Sequence, residues 1–367
     1  MSTAKATPQS LIRAEVRRLV AYPVPRAQGL IKLDAMENPY TWPEDLIGTW
    51  LDRLRDVSLN RYPDPHAAAL CQRLREVMAI PDDASLILGN GSDELIQLIM
   101  LAVAGSGRTV LAPQPSFVMY RMIAEFVGLR YVGVPLRPDD FSLDRRATLE
   151  AIEHHRPAVV FIAYPNNPTG NLFDEDDVRE ILDVAPGLVV VDEAYVPFSS
   201  RHFLSYLGKY ENLLVMRTLS KLGLAGLRLG FVVGGKRWLT EIDKIRLPYN
   251  INVLTQVSAE FAMSHYDVLD SQAHRICVDR ELMIAELNAL PGIVAYPSEA
   301  NFILFRTPNN MAARIFKYLV DNGVLIKAMG EADRLLLDCL RVTVGTRAQD
   351  QVFLARLSAA LSLAPPV

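Results

Sequence analysis

The stretch from Ala158 to Tyr195 reads AVVFIAYPNNPTGNLFDEDDVREILDVAPGLVVVDEAY, and its pattern decides the fold. Ala158–Ala163 is an unbroken apolar run, short and partly β-branched, and it reads as a strand. A loop of Asn, Pro, Thr and Gly follows. Asp174 is placed to cap a helix over Glu175–Val184. Leu188–Val191 is a second apolar run and ends on Asp192. Runs that are apolar on both faces suit strands buried between two helix layers, the setting of a parallel sheet.

The same alternation extends both ways. Upstream, Leu86–Leu88, Thr109–Ala112 and Tyr131–Pro135 read as strands. Helices are expected after them from Ser92 to about Ala104, over Ser116–Val127 and over Leu143–His155. Downstream, Leu213–Thr218 and Gly230–Val233 complete a mostly parallel seven-stranded sheet between helices. After residue 250 the pattern changes to an amphipathic helical region, Val253 to Leu290. Short strands follow at Asn301–Phe305, Val324–Ile326 and Leu340–Thr343, which is α+β patterning. Residues 1–30 read as an arm, with Leu11, Ile12, Val16, Leu19 and Val20 on a short amphipathic segment before Pro23 and Pro25. The expected division is 1–45 for the arm and the start of a small domain, 46–250 for a large domain, and 251–367 for the rest of the small domain.

The chain has 367 residues, half of them apolar and 22% charged, the balance of a globular protein with a large core. Its 38 Lys and Arg are offset by 42 Asp and Glu, which argues against a dedicated nucleic-acid binder. Cys71, Cys277 and Cys339 lie far apart, so neither a disulfide framework nor a metal site is expected, and a reducing cytoplasm fits. Lys5, Arg13 and Glu15 leave no apolar core of signal-peptide length near the start. Leu95–Ala104, interrupted by Gln97, is too short to span a membrane.

Ligands of open α/β sheets bind beyond the carboxyl ends of the strands. The loops there are Gly89–Glu94, Pro115–Phe117, Pro165–Gly170, Asp192–Tyr195 and Thr218–Lys221. Glu94 stands where a dinucleotide motif would need its third glycine, so that ligand is disfavoured. Gly91, Ser92 and Asp93 open a helix, which makes either a phosphate cradle or an ordinary capped turn. Lys221 is either a surface lysine or an amine able to join a carbonyl if burial or cationic neighbours lower its pKa. Arg228, with Thr218 and Ser220, offers a second set of phosphate contacts. Asp192 is either a structural partner or the counter-charge of a protonated heterocycle. Tyr195 and Asn166–Gly170 supply further hydrogen bonds, or merely a turn. Together the set suits a cofactor with a phosphate, a basic ring nitrogen, a phenolic oxygen and an aldehyde, which is pyridoxal phosphate.

Asn167-Pro168-Thr169-Gly170, Asp192, Tyr195, Ser220-Lys221 and Arg228, in that order, resemble the fold type I aminotransferases across nearly the whole chain. The finer wording is similar to the histidinol-phosphate aminotransferases within them. It comprises Glu37-Asn38-Pro39-Tyr40, Asn60-Arg61-Tyr62-Pro63, Tyr164–Gly170, Val191–Tyr195, Thr218–Arg228 and Leu340–Thr346. The resemblance implies that Lys221 binds the cofactor and moves the substrate proton, that Asp192 pairs with the pyridine nitrogen, and that Asn167 and Tyr195 hydrogen-bond the phenolate. It implies that Phe117 stacks on the ring, where many relatives have tyrosine. Ser92, Thr218, Ser220 and Arg228 would hold the phosphate, with Gly91 and Asp93 contributing backbone. Tyr62 would reach the phosphate and substrate of the other subunit of a homodimer, and Arg341 would bind the substrate's anionic group beside Asn167.

The sequence departs from the family's pattern at three places. The Lys221–Arg228 loop is one residue shorter than in most relatives. Met36 replaces a common Asn. Lys327 stands near where a second phosphate-binding arginine is often found, or is a solvated strand-end lysine. The implied reaction exchanges an amino group between histidinol phosphate and 2-oxoglutarate, giving imidazole acetol phosphate and glutamate in histidine biosynthesis. Rival readings are an aromatic amino-acid aminotransferase or a threonine-phosphate decarboxylase on the same scaffold. A cofactor-sensing regulator would need a DNA-binding domain, and the arm is too short for one. A cofactor-free homologue is disfavoured by the presence of Lys221, Asp192 and Arg228.

Overall fold

The computed structural model describes residues 6–21, 25, 27–330 and 333–363. Lys5 and Pro23, singled out above, lie outside the described residues. The larger sheet has seven strands in the order Ser85–Asn90, Leu229–Gly234, Leu213–Thr218, Leu188–Asp192, Val159–Ala163, Thr109–Gln114 and Arg130–Pro135. Every pairing is parallel except the two made by Leu229–Gly234. That strand runs backwards, so its entry, at Arg228, lies at the same edge as the exits of its neighbours.

The apolar runs are buried on both faces because their side chains alternate between two layers. Phe161, Val190, Met216 and Val232 pack with Leu95, Ile99, Ile123 and Leu239 from helices Gly91–Val103, Val118–Val127 and Lys236–Asp243. Val160, Ile162, Val189 and Val191 face the other way and pack with Ile152, Val178 and Ile181 from helices Arg145–His155 and Glu175–Val184. Asp174 caps the last of these by accepting from Asp176 N.

A second sheet of four antiparallel strands runs Lys327–Ala328, Cys339–Thr343, Phe302–Arg306, Val294–Ala295. Separately, Ile31–Lys32 pairs in parallel with Val324–Leu325. The strand expected over Val324–Ile326 is therefore two short pieces serving different sheets, with Ile326 buried between them. The helical region after Val253 is likewise two helices, Val253–Ser264 and Tyr266–Asn288, parted at His265 (φ −124°, ψ 40°). The arm forms helices Pro8–Leu11 and Ala14–Arg18, the first closed by a Thr7–Ser10 capping box. Arg13 donates to Phe126 O, which ties the arm to helix Val118–Val127. Among the described residues no helix is long and apolar enough to cross a membrane.

Candidate active site

The polar loops converge at the carboxyl edge of the larger sheet, around a cleft with about 540 Å³ of empty space. Ser92, Asp93, Phe117, Asn167, Asp192, Tyr195, Thr218, Ser220, Lys221 and Arg228 all line it. So does Met36, which takes a left-handed backbone (φ 54°).

One end of the cleft is cationic and rich in small polar groups. Helix Gly91–Val103 starts directly on leaving its strand. Gly91 has φ +80°, and a Cβ there would stand 2.7 Å from Arg228 Nη2. A Cβ on Gly230 would stand 2.8 Å from Gly91 C and Ser92 N. The two glycines thus let a helix start, an adjoining strand and a guanidinium meet without side chains between them. Arg228 Nη2 lies 3.4 Å from Asp93 Oδ2, so Asp93 brings its carboxylate to Arg228 as well as its backbone to the helix start. Thr218 ends its strand. Its hydroxyl lies 3.0 Å from Ser220 Oγ and 3.1 Å from Leu229 O, and Ser220 N donates to it at 3.2 Å. The short loop onward is a wide helical turn, Ser220–Leu224, relaxed at Gly223 (φ 129°). Arg228 then adopts left-handed φ 50° to enter its strand.

At the sheet end of the cleft, Asp192 is buried. Tyr120 Oη donates to its Oδ2 at 2.6 Å and Ala194 N donates to its Oδ1 at 3.1 Å. Burial pushes the Asp192 carboxyl up to about 6, against the pull of those two donors. No motif in the sequence marks Tyr120 as a site residue. The helix that carries it begins at Val118 rather than Ser116, which leaves Ser116 free to donate to Asn166 Oδ1 at 2.8 Å.

Along the wall, Asn167 bridges two residues. Its Nδ2 donates to Tyr195 Oη at 3.0 Å, and its Oδ1 accepts from Arg341 Nη1 at 2.6 Å. Arg341 also donates to Asp34 O at 3.1 Å and lies over the Phe302 ring at 5.2 Å. Lys221 Nζ donates to Ala35 O at 3.1 Å and sits 5.8 Å from the Tyr195 ring centroid. Burial, and then the Arg341 charge, bring the Lys221 amine down to about 8. Asn301 Nδ2 donates to Met36 O at 2.9 Å. Three consecutive carbonyls, of Asp34, Ala35 and Met36, are thus each held by a different side chain.

Four expected residues stand outside the cleft lining: Gly91 and Arg341, each beside a residue that does line it, and Lys327 and Tyr62. Lys327 is opposite Arg341 in the strand register, which puts two cations side by side. Tyr62 is 81% exposed and stacks on Tyr249, centroids 4.6 Å apart, and neither ring is in the lining of this chain's own cleft.

A ring bearing a basic nitrogen, a phosphate and a carbonyl fits this donor set. Among the described residues the buried carboxylate accepts hydrogen bonds from neutral donors alone, the amine is readily deprotonated, and an anion cradle lines the same cleft.

Comparison with known proteins agrees. The family model for aminotransferase class I and II matches residues 28–357. Histidinol-phosphate aminotransferase 2 of Nitrosococcus oceani is 59% identical over 348 residues, covering 95% of this chain and 96% of that one. Histidinol-phosphate aminotransferase 1 of Burkholderia lata is 50% identical over 361 residues, covering 98% and 99%. The fold is shared with the crystal structure of histidinol-phosphate aminotransferase from Sinorhizobium meliloti in complex with pyridoxal-5'-phosphate. There the TM-score is 0.86 at 24% identity, with 97% and 99% of the two chains covered. The chain belongs to the class I and II aminotransferases, and its larger sheet and the loops at its carboxyl edge are the fold of that family.

Proposed function

We propose that the chain is a pyridoxal-phosphate-dependent histidinol-phosphate aminotransferase. It would exchange an amino group between L-histidinol phosphate and 2-oxoglutarate, giving imidazole acetol phosphate and glutamate in histidine biosynthesis. The observation that carries this reading is the convergence of Lys221, Asp192, the Asn167–Tyr195 pair and the Arg228 cradle on one cleft. That cleft belongs to a chain similar over nearly its full length to proteins of that name.

When bound, pyridoxal phosphate supplies a carbonyl for covalent attachment and a ring that draws electron density away from the substrate's Cα. Asp192 would hold the ring nitrogen, and Asn167 and Tyr195 the phenolic oxygen. Phe117 would pack on the ring. Ser92, Thr218, Ser220 and Arg228, with the backbone at Gly91 and Asp93, would hold the phosphate. Lys221 would attach the cofactor and then carry the proton at Cα. With its amine brought down to about 8, about a tenth of it is already the free base at pH 7. Arg341 and Lys327, adjacent across their strands, would receive the anionic end of each substrate in turn.

The reading extends to a cytoplasmic homodimer in which Tyr62 serves the partner's site, without nucleic-acid or membrane partners. The exposed Tyr62–Tyr249 stack and the exposed Leu59 and Leu247 nearby in sequence support the shared site. Three free thiols are in keeping with a reducing compartment. The division at 1–45, 46–250 and 251–367 is part of the same reading. The seven-stranded sheet falls wholly in the second segment and the four-stranded sheet wholly in the third, while helix Val253–Ser264 packs back on helix Ala68–Met78.

Steady-state rates with histidinol phosphate, phenylalanine and threonine phosphate test the substrate. The expected order puts kcat/KM for histidinol phosphate ahead by roughly a hundredfold. Faster turnover of phenylalanine, or release of carbon dioxide from threonine phosphate, would replace this reading with one of its rivals.

A further inference from the structure

Tyr120 is wholly buried, yet it carries a hydroxyl where a phenylalanine would fill the same space. Its ring is fixed by stacking on Phe161 (4.8 Å, 19°) and by an edge contact with Phe117 (5.5 Å, 87°). A buried hydroxyl is costly unless it is bonded, and this one has its bond in Asp192 Oδ2, at 2.6 Å. The phenol is the donor. Burial and the adjoining carboxylate hold its own pKa well above 10, so it keeps its proton and lends it to the anion.

We propose that Tyr120 is a positioning residue for Asp192: its phenol keeps the carboxylate ionised and aimed into the cleft, and so sets how firmly the site grips a protonated ring nitrogen. The inference rests on the cofactor assignment above. The surroundings leave this work to Tyr120. Asp93, facing Asp192 from helix Gly91–Val103, and Glu193, next along the chain, both favour the neutral acid. Against them stand the hydrogen bonds from the Tyr120 hydroxyl and Ala194 N. Tyr195, another titratable group close by, has its hydroxyl engaged by Asn167, and the Lys221 amine in the same cleft donates to Ala35 O. A short bond from a neutral donor to an anion is of the stronger kind, and it stabilises the charge without neutralising it. A cation in the place of Tyr120 would satisfy Asp192 within the chain and leave nothing for the ligand.

The test is a cycle of Tyr120→Phe, Asp192→Asn and the double variant. Pyridoxal phosphate affinity of the apoprotein is read by fluorescence quenching, and kcat and KM are read on the loaded enzyme. Tyr120→Phe is expected to weaken cofactor binding about tenfold and to lower kcat about tenfold, with KM for histidinol phosphate changed by less than about twofold. In the Asp192→Asn background the same substitution should change cofactor affinity by less than about twofold. Unaltered affinity in the single variant would overturn the proposal, and so would an equal loss in both backgrounds, which would assign the effect to packing. If the phenylalanine variant does not fold, 3-fluorotyrosine at position 120 keeps ring and donor while acidifying the phenol. A change of cofactor affinity that Asp192→Asn abolishes supports the proposal, and an unchanged affinity overturns it. A wild-type protein that binds no pyridoxal phosphate would instead sink the cofactor reading itself.

Discussion

Asp192 and Glu193 are consecutive, both carboxylates and both buried, yet their surroundings treat them in opposite ways. Glu193 faces away from the cleft. Its Oε2 accepts from Arg217 Nη2 at 2.7 Å and Nε at 2.8 Å, and its Oε1 accepts from Phe203 N. That charge is complete within the chain and fixes the loop onto the neighbouring strand. Asp192 lines the cleft and, among the described residues, accepts only from a phenol and a backbone amide. A buried carboxylate with its own guanidinium holds structure together. One with neutral donors alone keeps its charge available to a cation from outside.

Lys221→Ala strikes the cleft side hardest. Transamination should fall by roughly a thousandfold or more. Borohydride treatment of the cofactor-loaded protein should fix cofactor to the wild-type peptide containing Lys221, with no label at that peptide in the variant. Mass spectrometry decides, and a label elsewhere in active wild type would break the assignment.

Arg217→Met strikes the structural side. It strands Glu193 and should cost about 3–5 kcal/mol of folding stability, measured by denaturant unfolding, and replacing both partners by apolar residues should recover much of that. A loss well under 1 kcal/mol would erase the contrast between the two carboxylates.

Smaller effects belong to the apoprotein, where the cleft groups are a burden. The Asp192 carboxyl is raised from 3.8 to about 6 on folding. Its contribution is therefore fully present below about pH 3.8 and is lost as pH rises through about 6. Asp192→Asn should leave the apoprotein more stable than wild type at pH 8, by up to about 3 kcal/mol, with the gap closing as pH falls from 6 to 4. Lys221 is lowered from 10.5 to about 8, so its burden runs the other way. Lys221→Met should stabilise the apoprotein below pH 8, with the advantage fading as pH rises toward 10.5. Thermal unfolding across pH reads both. Equal stability of variant and wild type at pH 8 would show that the neutral donors already satisfy Asp192.

The central strands and the loops at their ends were legible because each is a local pattern. An apolar run such as Val159–Ala163 announces a doubly covered strand, and the residue that ends Leu188–Asp192 announces a cleft. Helices Glu44–Arg55, Ala68–Met78, Lys236–Asp243, Ala312–Asp321 and Arg347–Ser362 are not legible in the same way, since none is tied to a motif at a strand end. The break at His265 has no proline or glycine to mark it. Tyr120 stayed hidden for a related reason. It reads as one more core aromatic, three residues past Phe117, and its partner lies 72 positions away. The hold of Ala35 O on Lys221 and of Asp34 O on Arg341 is invisible in principle, because a backbone carbonyl carries no sequence identity.

The anion cradle owes its shape to atoms that are missing. Gly91 and Gly230 each present a hydrogen where any other residue would place a carbon, and those two hydrogens set how near the guanidinium at 228 can come to the helix start. One added methyl at either position would push that arginine or the backbone aside. The chain therefore has almost no room to redraw the corner where a phosphate would be gripped.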